Sequence, residues 1–124
     1  MGRPTTRKIG AKMESVARVF LERKGLRFVE RNFRSRFGEI DLIMRDGEVL
    51  VFVEVRHRRS SRFGTAAETV DRRKQHKLIR TAEYYLHRHP ALAERPCRFD
   101  VIATSTPEGQ IDRWIQEAFM VEGS

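Results

Sequence analysis

Gly38-Glu39-Ile40-Asp41-Leu42-Ile43-Met44-Arg45-Asp46-Gly47-Glu48-Val49-Leu50-Val51-Phe52-Val53-Glu54-Val55-Arg56 reads as two apolar strands joined by a turn. Asp-Gly between strand-like runs is a strong hairpin signal, because both residues tolerate positive φ. A two-residue Asp46-Gly47 turn would set Arg45 against Glu48, Asp41 against Phe52 and Glu39 against Glu54. Alternation then collects Glu39, Asp41, Ile43, Leu50, Phe52, Glu54 and Arg56 on one face. The other face carries Ile40, Leu42, Met44, Val49, Val51, Val53 and Val55. Both faces are largely apolar, so both must be covered, as in an α/β layered fold.

Working outward, Arg27–Phe33 reads as a preceding strand. Before it, Met13, Val16, Ala17, Phe20 and Leu21 fall at helical spacing between Ala11 and Lys24, and Gly25 supplies a stop. After the hairpin, His57–Ala67 is polar, basic and Gly-containing, which predicts a mobile loop. Asp71 can cap a helix running to about His89, where Pro90 ends it. That helix has an inward stripe of Leu78, Ile79, Ala82, Tyr85 and Leu86, and stepping back along it lands on Gln75. Arg98–Thr104 predicts a strand, Pro107–Gly109 a turn and Ile111–Ile115 a last short strand. The basic, aperiodic residues 1–8 read as a mobile tail, and 9–124 as a single domain.

The chain has 124 residues, enough for one domain with a real core. Cys97 is the sole cysteine, which excludes an internal disulfide and a Cys-rich metal site. No apolar run approaches membrane-spanning length and no secretory leader is evident, so a cytoplasmic location is the default expectation. A net charge of +8 favours polyanionic partners. Its placement says more than its total: Arg31, Arg34 and Arg36 precede the acidic hairpin, and Arg56, Arg58, Arg59 and Arg62 follow it.

Carboxylates are depleted in strands and costly to bury alone. Asp41 and Glu54, diagonal neighbours in this register, could share a divalent cation, with Arg56 on the same side. Glu39 would oppose Glu54, a like-charge pair that wants a cation or an arginine between its members. Two readings follow: a metal held against phosphate, or acids paired with arginines at a solvated sheet edge. The four histidines lack the spacing of a metal site. Trp114, Tyr84 and Tyr85 read as packing or surface residues rather than base-stacking platforms, and Asp100 as a partner of Arg98.

The hairpin resembles the PD-(D/E)xK nuclease superfamily, with Asp41 at its Asp and Glu54-Val55-Arg56 at its (D/E)-x-K. More closely, the chain is identified as a member of the YraN family of bacterial proteins, similar to archaeal Holliday-junction resolvases. The matching stretches are Arg31-Asn32-Phe33-Arg34, Gly38–Ile43, Phe52–Arg56, Lys74-Gln75 and Arg98-Phe99-Asp100-Val101. The resemblance implies a restriction-endonuclease-like αβββαβ core, a mixed central sheet flanked by helices. It implies a DNA endonuclease, with Asp41, Glu54 and Glu14 holding Mg²⁺ or Mn²⁺, branched DNA as the partner, and a homodimer. Arg56 is the departure, because Arg keeps its proton and cannot act as a general base. Its implied role is to clamp the phosphate; Lys74 is the substitute lysine, and Gln75 would orient water or phosphate. Arg31, Arg34, Arg36, Arg58, Arg59 and Arg62 would grip the DNA backbone. The competing expectation is a non-catalytic nucleic-acid-binding protein on a degenerate nuclease fold.

Overall fold

The computed structural model describes residues 6–58, 70–105 and 110–119, with side chains for 9–57, 70–105 and 110–119. Helix α1 (Thr6–Arg23) is followed by β1 (Arg27–Ser35), β2 (Gly38–Asp46) and β3 (Val49–Arg58). Helix α2 (Arg72–Arg88), a 3-10 turn at Pro90–Leu92, β4 (Cys97–Ser105) and β5 (Gln110–Phe119) complete the described chain. One sheet runs in the order β1-β2-β3-β4-β5. β3 and β4 are parallel and the other neighbours antiparallel. A parallel pair needs a crossover, and the segment containing α2 supplies it. The αβββαβ order expected from the sequence is therefore the architecture, with β5 added at the edge.

Local signals account for the element ends. Gly25, at φ 97°, turns the chain out of α1. The Asp71 side chain accepts the Lys74 N–H at 2.8 Å at the start of α2. α1 begins earlier than its apolar period suggests, so of the expected tail only residues 1–5 lie outside the described residues. The expected loop at His57–Ala67 and turn at Pro107–Gly109 fall mostly or wholly outside them too.

Each face of the sheet is covered by one helix. On the α1 side, Ala17 and Leu21 pack with Leu42, Met44, Val51, Val53 and Ile102. On the α2 side, Leu78, Ala82 and Tyr85 pack with Ile43, Leu50, Phe52, Phe99 and Val101. The whole expected α2 stripe is there, Ile79 and Leu86 being partly buried against that cluster.

The hairpin register differs from expectation. Asp46 pairs with Val49 and Ile43 with Phe52, so the turn residues are Gly47 and Glu48. The reason is conformational: Gly47 has φ 61° while Asp46 does not take positive φ. Glycine thus occupies the first central position, as in a type II′ turn, rather than the second of a type I′ turn. The slip is two residues, an even number, so the face assignment survives it.

Two assignments do not survive, Glu39 and Ile40: Glu39 brings its carboxylate to Glu14 of α1 rather than to the α2 side. Ile40 joins the α2-side cluster while Leu42 joins the α1-side cluster, although two residues apart they should share a face. The same break occurs across the ladder. Arg31 reaches α1, but Phe33 packs towards α2. Asn32 lies between them at φ 54°, a conformation Asn tolerates better than most residues. β1 and β2 therefore flip their faces together, at Asn32 and Asp41.

Candidate metal centre

Pairing between β2 and β3 stops at Leu42↔Val53, while β3 continues beside β4 to Arg58. Past that point the Asp41 side chain takes over a ladder role: its Oδ2 accepts the Val55 N–H at 2.8 Å. The separating strands open a wedge beside α1. Glu14 of α1, Glu39 and Asp41 each bring a carboxylate oxygen to within 4.8 Å of the others. Oxygen atoms at that spacing can share one hard divalent ion.

Glu54 borders this trio. Only 6% exposed, it points its Oε1 to Arg56 Nε at 3.4 Å and to Lys74 Nζ at 3.8 Å. The Arg56 contact is an ion pair without hydrogen-bond geometry, and the buried Glu54 Oε2 has no hydrogen-bond partner. An unsatisfied buried carboxylate oxygen is costly and suits a site built to receive a positive ligand.

The electrostatics agree. Burial, then the Glu54 charge, pushes the Asp41 carboxyl up to about 8, against the lowering effect of the Val55 N–H. Glu14 and Glu39 add to the upward push. Burial also raises Glu54; Lys74 and then Arg56 oppose it, while Glu39 and Glu14 reinforce it. Without a cation these carboxylates repel one another, and a bound cation would favour the ionised forms of Asp41 and Glu54. The donor set is therefore chemically suited to Mg²⁺ or Mn²⁺.

The residues singled out from the sequence occupy different positions. Asp41, Glu14 and Glu39 converge, with Glu54, Arg56 and Lys74 beside them. Lys74 arrives from α2 at the Glu54 carboxylate. Gln75 turns away, its Nε2 donating to the Val70 carbonyl at 2.8 Å. Arg31 bonds inward: to Glu14 Oε1 at 3.3 Å, the Ala11 carbonyl at 3.2 Å and Ser15 Oγ at 3.3 Å. Arg34 is exposed and pairs with Glu39 at 3.5 Å, while Arg36 lies over the Phe37 ring. The Arg58 side chain and all of Arg59 and Arg62 lie outside the described residues.

Sequence reasoning set Glu39 on the right strand but omitted it from the ligand set. Its position two residues before Asp41 was the available signal. Asp100 has a structural part. Fully buried, it accepts from Arg98 Nε at 3.1 and 3.2 Å, Trp114 Nε1 at 2.9 Å and the Glu117 N–H at 3.1 Å.

Fold and site define the class: an α/β domain with carboxylates and cations gathered at the open end of its central hairpin. The family model described as Uncharacterised protein family UPF0102 matches residues 13–104. A UPF0102 protein of Xanthomonas campestris pv. campestris (strain B100) is 52% identical over 113 residues, 91% of this chain and 92% of the relative. One from Pseudomonas syringae pv. syringae (strain B728a) is 47% identical over 121 residues, 96% and 98% of the two chains. One from Ectopseudomonas mendocina (strain ymp) is 49% identical over 111 residues, 90% and 93% of the two. The chain belongs to the UPF0102 family, which is the YraN family its motifs resemble. Among the described residues, no helix is long and apolar enough to cross a membrane.

Proposed function

We propose that this protein is a metal-dependent endonuclease acting on the phosphodiester backbone of DNA, branched DNA included. The observation that carries the reading is the convergence of Glu14, Glu39 and Asp41 beside a buried Glu54 with an unpartnered oxygen. Asp41, Glu14 and Glu39, with Glu54, would hold Mg²⁺ or Mn²⁺. When bound, that ion lowers the pKa of a water and offsets charge on the phosphate.

The chain's own residues do the rest. Arg56 steadies the scissile phosphate and the charge that develops on it. Lys74, held at Glu54, orients water on the α2 side of the wedge. Exposed Arg34 and Arg36 grip flanking phosphates without reading sequence. Arg31 differs in kind: it positions Glu14.

A panel of linear, nicked, flapped and four-way DNA, with RNA alongside, tests the reading in Mg²⁺ and in Mn²⁺. The expected result is metal-dependent cleavage of DNA that Asp41→Asn and Glu54→Gln abolish. Undiminished cutting by those variants rejects it.

The Arg56–Glu54 pair favours a second reading, a nucleic-acid-binding protein without turnover. An arginine at this position supplies permanent charge and no proton acceptor. Arg56→Lys separates the two. Cleavage that rises on substitution indicates a weakened nuclease, and binding with no cleavage by either form supports the second reading.

A further inference from the structure

We infer that a second binding site, distinct from the carboxylate centre, receives an unpaired nucleotide of the DNA strand. It is a cleft of about 450 Å³ lined by Glu30, Phe33, Arg34, Tyr84, Arg88 and His89, between β1 and the C-terminal part of α2. The inference rests on the nucleic-acid reading above and extends it to a substrate class.

The cleft wall is built of packed rings. Tyr85 is buried and meets Phe33 edge-on at 5.0 Å and His89 face-to-face at 4.1 Å. Tyr84, unlike Tyr85, is only half buried. Its ring lies 6.1 Å from Phe33, and its hydroxyl accepts from Arg88 at 2.9 Å. His89 Nδ1 must donate to the Tyr85 carbonyl at 2.8 Å, since a carbonyl only accepts. The other ring nitrogen is thereby defined as the one available to a ligand.

The chemistry of the lining matches a nucleotide part by part. The Phe33 and His89 rings, with a Tyr84 ring that the Arg88 guanidinium overlies at 5.6 Å, supply π-surface for a base, the sequence-tolerant element of single-strand recognition. Arg34 and Arg88 supply guanidinium groups for its phosphates. Glu30 supplies an acceptor, which suits a base edge carrying an amino donor, such as cytosine. Arg34 also ties the cleft to the carboxylate centre, because it lines the first and pairs with Glu39 of the second at 3.5 Å. A strand held at the centre could thus lay a neighbouring unpaired nucleotide into the cleft. Paired bases, stacked in a duplex, cannot enter it.

The test is fluorescence anisotropy in the absence of divalent metal. Labelled duplex carrying a single-stranded tail is compared with blunt duplex of equal length. Tyr84→Ala should weaken binding of the tailed DNA about tenfold, the effect of one lost base–aromatic stack. Blunt-duplex affinity should change less than about twofold, and Tyr84→Phe, which keeps the ring, should retain tailed-DNA affinity. Arg88→Ala should weaken tailed DNA selectively as well. Equal losses on both DNAs, or no loss on tailed DNA while wild type binds it, overturn the cleft but spare the nucleic-acid reading. Wild type that binds neither DNA overturns both.

Discussion

Asn32, at φ 54°, sits across β1–β2 from Asp41, between the pairs Arg31↔Leu42 and Phe33↔Ile40. A left-handed residue in one strand and the principal acid in the other mark the place where both strands exchange faces. This exchange sends Arg31 to Glu14 on α1 and keeps Phe33 in the α2-side core. The strain belongs to the site's construction. Asn32→Ala should cost about 1 kcal/mol, because Ala lacks the short polar side chain that eases Asn into the left-handed region, and Asn32→Gly, which has no Cβ to strain, should cost less. Urea denaturation of the two variants measures the difference. Equal losses would mean that the Asn side chain, not the backbone angle, matters there.

Asp41 should make stability and affinity for a divalent cation depend on pH in opposite senses. Its carboxyl titrates at 3.8 in the open chain and at about 8 in the fold. Between those values the folded state binds more protons than the unfolded one. Its contribution to stability is therefore greatest below the lower value and is lost as pH rises towards 8. Asp41→Asn removes this slope, and at pH 8 the variant without metal should exceed wild type by about 1–2 kcal/mol. A cation competes with the same proton, so wild-type affinity for Mn²⁺ should climb from pH 5 to 8 and then level off. Chemical denaturation and calorimetric titration at the two pH values check both halves. A wild type with the same pH slope as Asp41→Asn would refute the assignment.

The hairpin was legible because face parity tolerates error. Gly47 satisfies either a type I′ or a type II′ turn, so the sequence could not choose between registers two residues apart. Both registers nevertheless put Asp41 and Glu54 on the same side. Ile40 was misread because alternation assumes an unbroken strand, and the break is caused by a neighbouring-strand residue whose φ no periodicity reveals. The α2 stripe was fully readable, since its spacing is local and Asp71 and Pro90 bracket it. Gln75 shows the limit of a helical stripe: it identified the inward side but not the Val70 carbonyl that the amide meets. Lys74, 20 residues after Glu54 in the chain, reaches it only through the crossover.

Asp100 should be the costliest single polar residue to remove. It is fully buried, and four contacts converge on it from Arg98, Trp114 and Glu117. Arg98 also reaches Asp46 Oδ2 at 2.9 Å, which ties β4 and β5 to the hairpin end of β2. Asp100→Ala leaves a buried guanidinium and two N–H donors without this acceptor, at a cost of about 3–5 kcal/mol. Asp100→Asn keeps acceptor capacity for the indole and the backbone, and should cost less. Unfolding midpoints rank the two, and near-wild-type stability for Asp100→Ala would contradict the network.

Lys74 offers the sharpest separation of electrostatic from structural roles at the centre. Its ammonium is the largest influence holding the Glu54 pKa down against burial, ahead of Arg56. Lys74→Ala should therefore let Glu54 keep its proton to higher pH. Mn²⁺ binding should weaken at neutral pH and recover towards alkaline pH, so its pH midpoint moves upward. Lys74→Arg preserves the charge and should leave that midpoint near wild type while changing any cleavage that depends on an amine. The Lys74 side chain is itself partly exposed, so folding stability should change by no more than about 0.5 kcal/mol in either variant. Titrations of Mn²⁺ across pH on wild type and both variants distinguish the cases. A uniform loss of affinity, with no shift of midpoint, would assign Lys74 to packing rather than to the charge balance of Glu54.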